Sequence, residues 1–355
     1  MSRRHLFIFN KMKRFYPKRL EEIGGIFEYL EKGESVQLLP PEERIVFSPV
    51  PSEEEAWVGV TSSGSTGIPK LAWRRWKELK GAASRSERIR GWRWATPYEP
   101  WSFAGIQVAV QAFVSGGEAI SLQGDWEEIW RILEERGVDA ISATPTFLDL
   151  LLQNEPEGGV NWTPRHITLG GEPLREGVGR RVQERWPGCG FRVIYAAAEF
   201  GVIATSSRYD GWYPVKSLEK RWPRWRVVDG VLELERNGVW RSTGDQVEVK
   251  EGWFRVIGRA DRVVNVGGVK VNLESVGAAA EAVQGIRRAQ AFAVPNPITG
   301  EVVGLRYEIE EGYLKEEVQK RLEEYLRSVL PKVAWPRRWE VGKIELGSNA
   351  KRKLL

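Results

Sequence analysis

The run Val60-Thr61-Ser62-Ser63-Gly64-Ser65-Thr66-Gly67-Ile68-Pro69-Lys70 constrains this chain more than any other stretch. Residues 57–60 form a short apolar run that reads as a strand, and it opens into small hydroxylated residues and glycines closed by a proline and a lysine. A loop of this make-up suits phosphate oxygens: glycines let the backbone come close, amides and hydroxyls donate, and a lysine adds charge. The lysine follows Gly67 by three positions, so the spacing is not that of the G-x-x-x-x-G-K-S/T nucleotide loop. By itself such a segment more often reads as a flexible turn.

Further segments downstream change that weighting. In chain order they are Gly170-Gly171-Glu172-Pro173, Tyr195-Ala196-Ala197-Ala198-Glu199, Ser242-Thr243-Gly244-Asp245, Gly258-Arg259-Ala260-Asp261 and Asn349-Ala350-Lys351. Each has a plain reading alone: Gly and Asp dominate turns for backbone reasons, and a lysine in a basic tail is usually a solvated charge. Taken together and in order, over most of the chain from Trp57 onward, they resemble the AMP-forming adenylate ligase superfamily of acyl-CoA synthetases, carrier-loading adenylation domains and luciferase-like enzymes. The runs Phe103-Ala104-Gly105-Ile106-Gln107 and Val294-Pro295-Asn296-Pro297-Ile298-Thr299-Gly300 look most like bacterial fatty-acyl or aryl-acid CoA ligases.

The chemistry of that family gives the matches a physical reason. Joining a carboxylate to the α-phosphate of ATP brings anions together, so the site needs a metal, donors and positive charge where charge develops. The resemblance implies that the loop from Thr61 through Ser62, Ser63, Gly64, Ser65, Thr66 and Gly67 to Lys70 holds the leaving pyrophosphate. It implies that Glu199 binds Mg2+, that Tyr195 stacks on adenine, and that the Gly170-Gly171-Glu172-Pro173 segment lines the other side of the ring. Asp245 would accept both ribose hydroxyls, and Arg259 would add contacts to ribose or phosphate. Lys351 would neutralise charge during adenylation, while a hairpin at Gly267-Gly268 would line the channel for the thiol after the small domain rotates about Asp261. The implied catalytic set is Lys351, Glu199, Thr66 and Lys70. The implied small molecules are ATP, Mg2+, a carboxylic acid, and coenzyme A or a carrier-protein pantetheine.

Three departures from the family pattern stand out. Ala198 replaces the usual threonine before the metal-binding glutamate, a lost hydroxyl that should slow rather than abolish turnover. Where relatives place a gate near the carboxylate, this chain offers Trp101 and Phe103. At 355 residues the chain is short for the family, with the deficit ahead of the phosphate loop. That shortened N-terminal flank is expected to expose an apolar patch covered by a second copy, making a homodimer, or by a partner protein.

The expected function is therefore an acid:CoA ligase that forms an acyl-AMP and passes the acyl group to the CoA thiol. The alternatives are an enzyme that loads a carrier-protein pantetheine, and a nucleotide-binding partner subunit without turnover.

Composition is ordinary for a globular chain, with 42% hydrophobic and 28% charged residues, while helices alternating with apolar runs such as residues 167–169 and 192–195 predict an α/β protein. No apolar run approaches the roughly 18 residues of a membrane span, and residues 6–9 are too short for a signal core, so a cytoplasmic protein is expected. Cys189 is the single cysteine, and the two histidines, His5 and His166, lie far apart, which argues against disulfide, cysteine-metal and histidine-metal frameworks. The net charge is +5, yet 53 Lys and Arg are interspersed with 48 Asp and Glu rather than gathered into a stripe, so no nucleic-acid partner is expected.

The pattern predicts a large domain over residues 1–258, with mainly parallel sheets and a β-rich closing part, and a small mobile α+β domain over residues 259–355. An amphipathic helix is expected over residues 15–33, a helix over 77–90 after the phosphate loop, and a buried helix over 105–114 ended by Gly116-Gly117. A helix over 127–136 should lead to a strand over 140–142 and a new helix starting at Thr144-Pro145-Thr146. From residue 225 to 257, short strands should turn at Asp229-Gly230, Asn237-Gly238 and Glu251-Gly252. The small domain should carry a hairpin over 263–271, a helix from Glu274, two strands, and a helix over 314–330 with an apolar residue every fourth position.

Overall fold

The computed structural model describes residues 12–40, 50–52, 54–62, 70–197 and 200–344. Four sheets follow one another along the chain. The first holds β1 (Lys13–Phe15), β2 (Val36–Leu38), β3 (Trp57–Ser62) and β4 (Lys70–Arg75) in that order, with the helices α1 (Ile26–Glu31) and α2 (Trp76–Ala82) beside them. The second contains β5 (Arg93–Thr96), β6 (Glu118–Ser121), β7 (Ala140–Ala143), β8 (His166–Gly170), β9 (Gly190–Ala197) and β10 (Gly201–Ser206). Its order is β10-β9-β8-β7-β5-β6, parallel except for the β9–β10 pair.

Helices α3 (Phe103–Val114), α4 (Trp126–Glu135), α5 (Pro145–Gln153) and α6 (Glu176–Arg185) are the crossovers that a parallel sheet requires. Each of the first three starts on a side-chain cap, from Ser102, Asp125 and Thr144, with Pro145 at the first helical position of α5. A core of Ile120, Trp130, Leu133, Ile141, Leu148, Ile167 and Val193 fills the space between the sheet and these helices. Helix α3 also packs on the first sheet, so Ile106 and Val110 belong to a second core with Leu20, Leu38, Val58 and Trp76.

After the short α7 (Val215–Glu219), the third sheet is a meander with β11 (Tyr213–Pro214) paired to its last strand. Strands β12 (Trp225–Val228), β13 (Val231–Arg236), β14 (Val239–Lys250) and β15 (Trp253–Arg259) pair antiparallel with their neighbours in sequence. Each predicted turn has two successive residues at positive φ: Asp229 (50°) and Gly230 (79°), Asn237 (56°) and Gly238 (80°), Glu251 (50°) and Gly252 (81°). This is the geometry whose twist matches antiparallel strands. Leu232, Leu234, Val247 and Phe254 join the core of the parallel sheet.

Beyond residues 260–262 the chain builds a separate core. Strands β16 (Val263–Val266), β17 (Val269–Asn272), β18 (Ile286–Asn296), β19 (Gly300–Ile309) and β20 (Arg338–Val341) form the fourth sheet, with α8 (Leu273–Glu281) and α9 (Lys315–Val329) packed on it. In α9, Val318, Leu322 and Leu326 are buried, whereas Leu314, just ahead of the helix, is 63% exposed. A strict four-residue spacing drifts by about 40° per step around a helix of 3.6 residues per turn, so only the middle of the stripe faces the sheet.

Two expected helices are corrected. Residues 15–33 hold the end of β1, a single 3-10 turn (Leu20–Ile23) and the short α1, because Pro17 and the Gly24-Gly25 pair interrupt a continuous helix. Residues 77–90 hold α2 and a separate 3-10 turn (Glu87–Ile89), split where Ser86 caps the turn and the Ser84 amide donates to Gln111 Oε1. Strand β4, directly after the phosphate-loop sequence, and β20 were not anticipated. No helix among the described residues is long and apolar enough to cross a membrane. In the N-terminal region, Tyr16 and Phe113 are the large apolar side chains left exposed among the described residues.

Candidate functional site

The Ser242-Thr243-Gly244-Asp245 sequence lies within β14, where the strand departs from regular pairing. Val231 pairs with Gln246 and Glu233 with Ser242, so residues 243–245 stand against Leu232 alone. Local hydrogen bonds brace the bulge: Thr243 Oγ1 accepts from the Asp245 amide at 3.1 Å and donates to the Leu232 carbonyl at 2.9 Å. Gly244 has φ of 73°, and a Cβ there would lie 2.7 Å from Arg259 Nη2. The dihedral favours glycine, and a side chain there would also have to displace the guanidinium beside it.

The bulge aims Asp245 inward, where it is 9% exposed. The Tyr195 hydroxyl donates to Asp245 Oδ2 at 2.6 Å, and Arg259 Nη1 approaches Oδ1 at 3.3 Å while donating to the Thr243 carbonyl at 3.1 Å. Burial, helped by the Asp245 charge, pushes the Tyr195 phenol well above its ordinary range, so it stays a donor. Each carboxylate oxygen has more than one lone pair, so both can accept a further donor beside Tyr195 and Arg259. Tyr195 packs edge-on to Phe254, with ring centroids 6.3 Å apart. Its phenol therefore orients Asp245, a role that the sequence did not suggest.

The Gly170-Gly171-Glu172-Pro173 segment leaves the carboxyl end of β8, beside Ile194 of β9. A Cβ on Gly170 would lie 3.3 Å from the Ile194 carbonyl, and Gly171 has φ of 86°. Glu172 Oε1 accepts from the Thr146 amide at 2.6 Å, which places a carboxylate at the positive end of α5. The Tyr98 hydroxyl donates to the Gly170 carbonyl at 3.0 Å. Tyr98 follows β5, the strand from which the chain runs first to β6 and then across to β7. In open α/β sheets the crevice outside the carboxyl strand ends at such a reversal is the usual place for a ligand.

Thr61, near the end of β3, donates from its amide to the Trp101 carbonyl at 2.8 Å and forms a parallel bridge with Ser102. This ties the start of the phosphate-loop sequence to the expected gate, where Trp101 and Phe103 are half-buried and the Arg74 guanidinium lies 4.9 Å from the Phe103 ring centre. Ser62 and Lys70 pair across β3 and β4, which sets the two ends of the loop side by side. Residues 63–69, with Ser63, Gly64, Ser65, Thr66 and Gly67, lie outside the described residues, as do Ala198, Glu199 and Lys351. Among the described residues no group of three or more His, Cys, Asp and Glu could hold a metal ion.

Gly267 and Gly268, at φ of 59° and 90°, turn the β16–β17 hairpin, and the Gly268 amide donates to Asn265 Oδ1 at 2.8 Å. Val263, Asn265 and Lys270 of this hairpin face Val231, Glu233, Ser242 and Gln246 across a cleft of about 490 Å³. Burial alternates along β14 so that Thr243, Asp245 and Val247 point inward. The hairpin therefore meets the outer face of the strand whose inner face carries Asp245.

Thr61, Tyr98, Gly170, Tyr195 and Asp245 thus border the carboxyl ends of β5, β8 and β9 and the inner face of β14. A family model described as AMP-binding enzyme matches residues 27–230. The chain belongs to the AMP-binding enzyme family. It is 31% identical over 118 residues to the medium/long-chain-fatty-acid–acyl-carrier-protein ligase FadD10 of Mycobacterium tuberculosis, covering 32% of this chain and 22% of that protein. It is 25% identical over 303 residues to the 2-hydroxy-7-methoxy-5-methyl-1-naphthoate–CoA ligase of Streptomyces carzinostaticus, covering 72% of this chain and 53% of that one. The chain thus spans about half or less of the length of these relatives. The fold is that of o-succinylbenzoate CoA synthetase (MenE) from Bacillus subtilis, solved with its acyl-adenylate intermediate, at a TM-score of 0.68 and 17% identity, covering 97% of this chain and 87% of that one. As in other AMP-binding enzymes of this fold, parallel and antiparallel sheets combine in an α/β architecture.

Sequence reasoning missed Tyr98 and Arg175. Tyr98 is 72 positions from the carbonyl it holds, and Arg175 is bound to Glu281 far along the chain. Neither pairing leaves a local pattern in one sequence.

Proposed function

We propose that this AMP-binding enzyme activates a carboxylic acid with ATP, giving an acyl adenylate and pyrophosphate, and then transfers the acyl group to the thiol of coenzyme A. The observation that carries the reading is the Tyr195–Asp245–Arg259 constellation at the edge of a parallel sheet, on the motifs and in the fold of the family. In this reading Asp245, oriented by Tyr195 and Arg259, accepts the ribose hydroxyls. The Gly170-Gly171-Glu172-Pro173 segment, held by Tyr98 and Thr146, bounds the adenine.

Residues 61–70 are assigned to the pyrophosphate, Glu199 to Mg2+, Lys351 to the charge on the reacting carboxylate and α-phosphate, and Gly267-Gly268 to the thiol's path. Mg2+ would supply charge neutralisation at the phosphates. Its proposed ligand, Glu199, lies outside the described residues.

A carrier-protein pantetheine is the alternative acceptor, because the relatives' names divide between CoA and acyl-carrier-protein ligases. The test is ATP–pyrophosphate exchange over a panel of fatty and aromatic acids, followed by thioester formation with CoA and with a pantetheinylated carrier. Acid-dependent exchange is expected, and Asp245→Ala should raise the ATP dissociation constant by about tenfold or more, the loss of charge-assisted hydrogen bonds. Nucleotide binding without exchange for any acid would turn the assignment to a partner subunit without turnover.

A further inference from the structure

The small unit beyond residues 260–262 is joined to the rest of the molecule by one passage of the chain and by side-chain links gathered around α8. At the start of α8, Asn272 Nδ2 donates to Gln246 Oε1 at 2.7 Å, and Glu274 Oε2 accepts from the Arg259 amide at 2.9 Å. Nearby, Arg287 Nε donates to Gln153 Oε1 at 3.2 Å. At the other end of α8, Glu281 forms an ion pair with Arg175, their side chains 7% and 21% exposed. Glu281 Oε1 also accepts from the Ala289 amide at 2.8 Å, which fixes the carboxylate within the small unit.

Arg175 has partners on the other side. It stands at the residue before α6, two positions after Pro173, and its Nη2 reaches Thr146 Oγ1 at 3.5 Å. The amide of the same Thr146 donates to Glu172 Oε1 at 2.6 Å. A continuous polar path therefore runs from the Gly170-Gly171-Glu172-Pro173 segment through Thr146 and Arg175 to Glu281 in the small unit. With the two halves together the pair is largely withdrawn from water, so removing either partner would leave the other charge buried and unpaired, which is strongly unfavourable.

We propose that Arg175 and Glu281 form a latch that holds the small unit against the Gly170-Gly171-Glu172-Pro173 segment and links its orientation to nucleotide binding at that segment. The linkage rests on the nucleotide reading above; the latch does not. By reciprocity, whatever shifts the segment shifts the small unit, and the converse. Arg175 is in this account a positioning residue that touches no substrate.

The test uses the full chain with Cys189 replaced by serine and spin labels at two exposed positions, Glu157→Cys and Glu316→Cys. Inter-label distances are measured by electron–electron resonance without nucleotide. The parent should give one dominant distance. Arg175→Gln, and Glu281→Gln, which keeps an acceptor for the Ala289 amide, should each broaden or split it, and Arg175→Lys should keep it. Distributions in both Gln variants identical to the parent's would overturn the latch, as would a Lys variant as disordered as the Gln one. AMP titration then tests the linkage: Arg175→Gln should change AMP affinity by about fivefold or more, typical of coupled sites. Equal affinity would overturn the linkage. A parent that binds no AMP would sink the nucleotide reading and the linkage with it, while the nucleotide-free distances still decide the latch.

Discussion

Tyr195 shows how one side chain can serve stability and chemistry together. Its hydroxyl keeps Asp245 hydrogen-bonded in an interior where an unpartnered carboxylate is costly, and its ring completes a cluster with Tyr213 and Phe254. Tyr98, Tyr195 and Tyr213 all titrate above the ordinary phenol range, chiefly because burial disfavours the phenolate. In the unfolded chain these phenols ionise near pH 10, while in the folded state they keep their protons. Their contribution is fully present below about pH 10 and is lost above it, at about 1.4 kcal/mol per pH unit for each phenol. Tyr195→Phe should cost about 1–3 kcal/mol at pH 7 for the lost bond to Asp245 and should make the decline above pH 10 shallower by one phenol's share. Urea unfolding at pH 7, 10 and 11 measures both quantities, and an unchanged high-pH slope in the variant would contradict the buried, protonated phenol. Asp245 and Tyr195 each stand in a motif that the sequence displays, and the structure brings the two into one hydrogen bond. That bond was not legible in the sequence, since its two ends belong to different sheets.

The meander was the most legible element, because positive φ at two successive residues selects Asn-Gly and Asp-Gly pairs, which the sequence displays openly. Glu251 is the exception: it occupies the left-handed region at φ of 50° without a side chain suited to it. Glu251→Asn should stabilise the chain by about 1 kcal/mol, and Gly252→Ala, at φ of 81°, should destabilise it by about 1–2 kcal/mol. Paired denaturation curves check both signs. Helices over residues 15–33 and 77–90 were misread for the opposite reason. Apolar periodicity suggested continuity, while Gly24-Gly25 and the bond between Ser84 and Gln111 divided the segments. Gln111 lies on another helix, so that competition was invisible in a local window.

The two cores account for the division of the molecule. Val276, Ala289, Val303, Leu305, Val318 and Leu322 pack among themselves, apart from the core of the parallel sheet. The proposed boundary near residues 259–261 therefore predicts that a fragment of residues 262–344 folds cooperatively by itself. Circular dichroism and thermal unfolding of that fragment check this, and a non-cooperative transition would show that the small unit depends on its partner for stability. Arg175 and Glu281 would then be structural before they are regulatory.

The contrast between the meander and the parallel sheet also sets an order in time. Strands β12–β15 are joined by two-residue turns, so their pairing closes short loops at little entropic cost, whereas β5 to β9 meet only after whole helices have been laid between them. During refolding the amides of β13 and β14 should gain protection from exchange before those of β7 and β8, and pulse-labelling can read that sequence directly. The strand that carries Asp245 would then be in place early, and the last structure to arrive would be the sheet edge that brings Tyr195 and Gly170 up to it.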